Sequence, residues 1–345
     1  MRGNPATLKD IATELGISMG TVSRALKDYP GISEKTKIAV KELAKKLKYR
    51  PNPVAVNLKH RRSKIIGVIC PKLFHTFFSS VVNGIMSVAD EQGYTVILVQ
   101  TNESYAKEIK ETKVLLDSPL EGLLVSSAFE TQNYDHIQQF LDYGLPVVQY
   151  DRINDDLDTT KVYVDDFEGA YKATQHLIDQ GCRNIALVRG MTIPLIARRV
   201  EGFKAALAAH GIPYREDLVL ETKTSDMSEG IHLTDQLLDL PKVDAVLSFS
   251  DVIALGLMKG LKSRNILIPE DIAIVGFNDS DMSTLVEPGL STIAQPAYEM
   301  GEAAAQILFH EIEVVKNDDD PIPQSVKLQT ELIVRGSSMK KALVI

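Results

Sequence analysis

Beyond residue 64 the chain alternates between short apolar runs and longer stretches in which apolar side chains recur every three or four positions. KIIGVIC (64–70), YTVILVQ (94–100), EGLLVSS (121–127) and PVVQY (146–150) read as buried strands of a parallel sheet, because little in them marks a solvent face. The stretches near 78–92, 105–117 and 133–143 carry the helical period. The rhythm then restarts with NIALVRG (184–190), a helix across 199–210, LVLET (218–222) and a helix across 228–239. VDAVLSFS (243–250), a helix from Asp251 and DIAIVGF (271–277) complete it. Such alternation predicts an α/β protein with parallel sheets covered by helices on both faces, and two rounds predict two similar lobes. Ligands of such sheets bind at the carboxyl ends of the strands, which between two lobes means the cleft.

The first fifty residues show a different pattern. Thr7-Leu-Lys-Asp10 fits a capping box, after which Leu8, Ile11, Ala12 and Leu15 share one helical face. Gly16 ends that helix, Ile17 turns inward, and Ser18 caps a second helix to about Leu26 with Val22, Ala25 and Leu26 facing the core. Ser33 caps a third, in which Ile38, Val40, Leu43, Ala44 and Leu47 form the expected apolar stripe. Two short helices joined by a glycine turn and backed by a third make a helix-turn-helix. Pro51 and Pro53 break the helical pattern after Tyr49. Asn52 can cap a helix of little more than one turn to Leu58, too short to be stable unless something packs on it.

Charge sharpens this division. Residues 1–64 hold 15 Lys and Arg against 5 Asp and Glu, a net of +10, whereas the remainder holds 23 against 41, a net of −18. A cationic module on an anionic body implies a polyanion partner for the module alone. The second helix then reads as a recognition helix, with Arg24 able to pair bidentately with guanine and Ser23 with either base type. Thr21, Lys9, Lys35, Lys37 and helix amide ends would hold phosphates. Leu58, an apolar side chain beside Lys59, His60, Arg61 and Arg62, has the makings of a minor-groove wedge.

TLKDIATELGISMGTVSRAL followed by YRPNPVAVNL resembles the DNA-binding head and hinge of the lactose-repressor (LacI/GalR) family of bacterial transcription regulators, and the resemblance continues through nearly the whole chain. It implies a three-helix headpiece at 1–50, a hinge helix and linker at 51–63, and a core like a periplasmic sugar-binding protein. The lobes would be 64–163 with 296–325, and 164–295 with 326–345, the chain crossing near 162–165, 293–297 and 324–326. It further implies a homodimer on a near-palindromic operator, Leu58 of each subunit entering the minor groove. The DNA-facing set becomes Thr7, Lys9, Ser18, Met19, Gly20, Thr21, Ser23 and Arg24 in the head, with Asn52, Ala55, Leu58 and Lys59 in the hinge. Met19 and Gly20 fall where relatives vary the residues that choose the operator.

The same resemblance implies no cofactor but a small-molecule effector, a sugar or sugar derivative, in the cleft. Phe78 matches an aromatic that stacks on effector, Arg199 the effector-holding arginine, and Gln295 a polar residue of a crossover. Asn278 stands where the family has aspartate and Ser250 where it often has asparagine. Asp151 and Arg152 close the fourth strand at the cleft edge, Asp166 precedes a helix starting near Glu168, and Asp251 begins a helix at a strand end. Replacing aspartate by Asn278 removes one negative charge, which with Arg199 and Arg152 favours a neutral or acidic sugar over a cation.

Other chemistry lacks its motifs. There is no G-x-x-x-x-G-K-[ST] and no G-x-G-x-x-G, and His310-Glu311 is half of a zinc signature whose second histidine is replaced by Val314. No run approaches a transmembrane span, and the first twenty residues hold no apolar leader. Cys70 and Cys182 lie far apart in strand-like runs and read as buried reduced thiols. These features favour the cytosol and a non-enzyme. The classes left are a ligand-controlled regulator, a solute-binding protein without direct DNA control, and a sugar-metabolising enzyme on an α/β scaffold.

Overall fold

The computed structural model describes residues 7–26, 28–47, 49, 63–74, 76–190 and 193–340. The hinge assignments Asn52, Ala55, Leu58 and Lys59 lie outside the described residues. The chain divides into two compact units, Met1–Ser63 and Lys64–Ile345.

The first unit contains α1 (Leu8–Leu15), α2 (Met19–Leu26) and α3 (Glu34–Lys46). The capping box forms: the Asp10 amide donates to Thr7 Oγ1 at 3.3 Å, and the Thr7 amide donates to Asp10 Oδ2 at 2.8 Å. Gly16 closes α1 at φ 62°, a left-handed conformation that only glycine adopts without cost, and the chain turns directly into α2. Ser18 and Ser33 cap α2 and α3 by accepting from the amides of Thr21 and Thr36. Ile11, Val22, Ala25, Val40 and Leu43 form the core. Ile38 is not part of the stripe and is 56% exposed. It stands two positions before Val40, about 200° away around a helix of 3.6 residues per turn, so burying 40, 43, 44 and 47 turns it outward.

The second unit is built on two six-stranded sheets of like order. The first contains β1 (Ile65–Cys70), β2 (Thr95–Gln100), β3 (Gly122–Val125), β4 (Val147–Tyr150), β5 (Thr160–Val164) and β11 (Ser325–Leu328) in the order β11-β5-β4-β3-β1-β2, all parallel. The second contains β6 (Ile185–Arg189), β7 (Val219–Glu221), β8 (Ala245–Ser248), β9 (Ala273–Asn278), β10 (Ser291–Ala294) and β12 (Glu331–Ile333) in the order β12-β10-β9-β8-β6-β7, with β12 antiparallel. Alternate residues of each strand feed opposite faces. Ile66, Val68 and Cys70 of β1 pack under α4 (Thr76–Glu91) and α12 (Ala297–Lys316), while Ile69 packs under α5 (Tyr105–Leu116) and α6 (Asp135–Asp142). In the second lobe Ala245 and Leu247 meet α7 (Asp166–Asp179) and α8 (Pro194–Ala209). Val246 meets α9 (Met227–Asp239) and α10 (Asp251–Lys262). A short α11 (Met282–Leu285) comes after β9.

The chain leaves the first sheet after β5, returns after β10 and leaves again after β11. The third crossing is therefore at Gln329–Thr330, not 324–326: SVKL extends the first sheet beside β5 before the chain crosses. α8 also begins at Pro194, five residues before the expected start, because proline suits the first turn of a helix. Cys70 and Cys182 are buried free thiols, pushed up by burial to about 12 and about 11.

Neighbouring helices cross at glycines. A Cβ on Gly301 would come within 2.0 Å of the Val81 carbonyl oxygen, and one on Gly84 within 2.1 Å of that of Tyr298, so α4 and α12 touch backbone to backbone. Gly301→Ala is expected to force these helices apart and cost about 1–3 kcal/mol. Urea unfolding checks this, and an unchanged midpoint would contradict it.

Candidate functional site

Segments following β1, β2, β3 and β4 in the first lobe meet α8 and segments following β7, β8, β9 and β10 in the second. Phe78, Asp151, Arg152, Arg199, Ser250, Asn278 and Gln295 line one cavity there, of about 80 Å3. Asp166 borders an adjoining cavity of about 260 Å3. The structure thus brings together eight of the nine residues expected at the effector.

Asp251 is the exception. It is 1% exposed, and its carboxylate accepts from Thr292 Oγ1 at 2.6 Å, the Ser280 amide at 2.7 Å and Ser283 Oγ at 3.0 Å. It ties the segment after β9 to β10 instead of facing the cavity. A strand end followed by a helix start identified its place in the chain, but three donors on the far side determine its direction.

Neither Arg152 nor Arg199 is free. Arg152 makes a two-pronged pair with Glu103, at 2.6 and 2.9 Å, and donates to the Ser127 carbonyl at 2.9 Å. Its guanidinium lies 3.7 Å from the ring centre of Phe129 and 5.3 Å from that of Phe78. Arg199 donates to Asp166 at 2.7 Å and to the Phe249 carbonyl at 2.7 Å, over the ring of Phe277 at 3.6 Å. Glu103, Phe129 and Phe249 are not identifiable from the sequence pattern. Each lies in a loop just past a strand end, where the fold places ligand contacts, but no spacing marks them.

Asp151 has φ 60°, and burial pushes its carboxyl up to about 7, against the opposing pull of Arg152. Burial likewise raises Asp166 despite Arg199. The Gln295 side chain is 8% exposed. Its Nε2 donates to Asn278 Oδ1 at 2.9 Å, while Oε1 is buried without a partner in the protein. Ser250 caps α10, accepting from the Ile253 amide.

On the headpiece, Met19, Gly20 and Arg24 are exposed, with Thr21 and Ser23 half-buried beside them. Arg24 folds back along α2, and its Nε donates to the Gly20 carbonyl at 3.2 Å. Gly20 thus takes part through its carbonyl, and a Cβ there would make only ordinary contact with Arg24, at 3.8 Å. The Thr7 and Ser18 hydroxyls are engaged in their caps, Ser18 also sharing a hydrogen bond with Thr21 Oγ1 at 2.9 Å. That leaves the helix ends, with exposed Lys9, for phosphate.

Residues 7–52 match the model of bacterial regulatory proteins of the lacI family, and residues 174–338 that of a periplasmic binding protein-like domain. Catabolite control protein A of Priestia megaterium is 32% identical over 305 residues, 88% of this chain and 91% of that protein. The chain belongs to the lacI family. The ribose operon repressor of Halalkalibacterium halodurans is 31% identical over 335 residues, 96% of this chain and 97% of that protein. The solved structure of transcriptional regulator CelR with cellobiose matches with a TM-score of 0.73 at 29% identity, covering 96% of this chain and 99% of that one. As a lacI-family member this chain is a sequence-specific DNA-binding transcriptional regulator. The family also accounts for Gly16-Ile17-Ser18-Met19-Gly20, which has the G-x-S-x-G spacing of a hydrolase nucleophile turn. Here Ser18 follows a helix and caps another. Among the described residues no cluster of ligating side chains could hold a metal, and no helix is long and apolar enough to cross a membrane.

The raised carboxyl of Asp151 has a thermodynamic consequence. Its proton is favoured by the fold, so its contribution to stability is full below the ordinary carboxylate pKa near 4 and is lost as pH rises toward about 7. Asp151→Asn should therefore gain stability over the native protein progressively from pH 4 to 7 and by a constant amount above. Melting curves across pH check this; a difference independent of pH would contradict it.

Proposed function

We propose that the chain is a homodimeric repressor whose operator affinity is set by a neutral, polyhydroxylated effector of the sugar class bound between the lobes. The observation that supports the effector class is the pairing of the two arginines at the inner cavity within the protein, Arg152 with Glu103 and Arg199 with Asp166. An acidic ligand would have to compete with carboxylates already in place, and a cation would meet two guanidinium groups. Asn278, Asp151, Ser250 and aromatic rings also line the cavity, a mixture of polar groups and apolar faces that suits hydroxyl groups. The sequence-based expectation of a neutral or acidic sugar narrows to the neutral one. Relatives named for ribose and solved with cellobiose agree with that class.

In this reading the effector closes or opens the cleft, the first lobes of the dimer shift, and the segments 51–63 of the two subunits pair or separate. A coupling of about 1–3 kcal/mol changes operator affinity by about 5–150-fold. The chain is read as a cytoplasmic binding protein without catalytic activity.

Two measurements test this. A palindromic duplex is first selected from random DNA with the purified full-length protein. Arg24→Ala is expected to lose about 1–3 kcal/mol of binding to it and to relax preference at one base position of each half-site. Fluorescence anisotropy with and without neutral sugars should then show the effector-dependent shift. Arg24→Ala binding as tightly and selectively as the native protein, or an affinity that no small molecule alters, would overturn the proposal.

A further inference from the structure

We propose that the effector site has a second compartment, between the loops after β1 and β2 of the first lobe and the loop joining β7 to α9 of the second. The effector is then a neutral saccharide of at least two rings, one in each compartment. The inference rests on the effector class proposed above and adds its size.

The inner cavity, beside Arg199, Asn278 and Gln295, is about 80 Å3, well below the roughly 300–1,000 Å3 of ordinary ligand sites. A cavity of about 250 Å3 adjoins it, bordered by Lys72, Asn102, Thr222, Thr224 and Asp226. Glu103, Phe129, Ser225 and Phe249 border both, so the two spaces share walls along one stretch of the cleft.

The junction suits a saccharide. Phe129 comes from the first lobe and Phe249 from the second. A Cβ on Gly190 would lie 3.1 Å from the Phe249 ring, so the absence of a side chain there lets the ring lie flat against the backbone. Sugar rings present apolar C–H faces and hydroxyl edges, and a site with aromatic walls and hydroxyl or amide groups around them serves both.

Most charges bordering the outer cavity are already paired. Lys72 pairs with Asp226 across the cleft at 3.2 Å, and Glu103 pairs with Arg152. Among the described residues bordering the outer cavity, Lys223 alone is a cation without a carboxylate partner, and it is exposed. The Lys72–Asp226 pair joins the two lobes at the outer wall, where it borders the space offered to a second ring. The further cavity beside Asp166 and Arg198, of about 260 Å3, is the competing location for a second ring. It lacks both Phe249 and an ion pair across the lobes.

Isothermal titration of the full-length protein with neutral pentoses and hexoses, and with disaccharides composed of them, tests the proposal. One disaccharide is expected to bind at least about tenfold more tightly than either component. Thr224→Trp, which fills the outer cavity, should remove that advantage and leave monosaccharide affinity within about twofold. Gln132→Trp, in the competing cavity, should change neither. Lys72→Ala, which removes the outer wall without adding bulk, should weaken the disaccharide by about two- to fivefold. A monosaccharide bound as tightly as every disaccharide overturns the second compartment and leaves the neutral effector standing, as does loss caused by Gln132→Trp alone. Binding of no neutral saccharide overturns the effector class and the compartment with it.

Discussion

Arg152 and Arg199, the two guanidinium groups at the inner cavity, are each held by a carboxylate of their own lobe. Removing a charge from water is expensive, and an unpaired one at this depth would be far more so. Arg152 with Glu103 and Arg199 with Asp166 satisfy that constraint before any ligand arrives. The arginines can still donate remaining N–H groups and hold aromatic rings in place, but they supply little net charge. Phe129 is positioned by Arg152, Phe277 lies under Arg199, and the Phe249 backbone is fixed by an Arg199 hydrogen bond. The pairs therefore organise the walls of the site more than they recognise a charge.

The lobes can act as levers because each is stiff and the connection between them is thin. Helices cross at glycines in both lobes, with Gly84 and Gly301 in one and Gly202, Gly230 and Gly256 in the other, each leaving no room for a Cβ. Close backbone contact leaves little room for sliding within a lobe. Motion is then concentrated in the three short crossings, and Lys72–Asp226 is an ion pair between the lobes outside them.

The regular part of this fold was legible in the sequence. Runs such as YTVILVQ are apolar throughout because both faces of a doubly wound sheet are buried, and Thr7, Gly16, Ser18 and Ser33 marked the headpiece by their local hydrogen bonding and conformation. The crossings were harder. α12 has twenty residues but begins after a crossover from the other lobe, and β11 alternates exposed and half-buried residues at a sheet edge, so neither has the surroundings the local pattern assumes. Ile38 is apolar but lies about 200° around the helix from Val40, so composition alone does not place it in the core. At the site, residues at strand ends were found, yet Asp251 turned away and Glu103, the partner that neutralises Arg152, went unnoticed. Side-chain direction and pairing depend on contacts between distant segments, and one segment's sequence does not carry them.

The central claim is that Arg152 and Arg199 are paired within the protein and that the cavity beside them selects an uncharged ligand. Calorimetric titration decides it most directly, comparing the tightest-binding neutral saccharide with its carboxylate and amine analogues on the same skeleton at pH 7.5. The account predicts that both charged analogues bind at least about tenfold more weakly, since each must displace an existing ion pair or remain unpaired in a buried site. A carboxylate analogue bound more tightly than the neutral saccharide would contradict it.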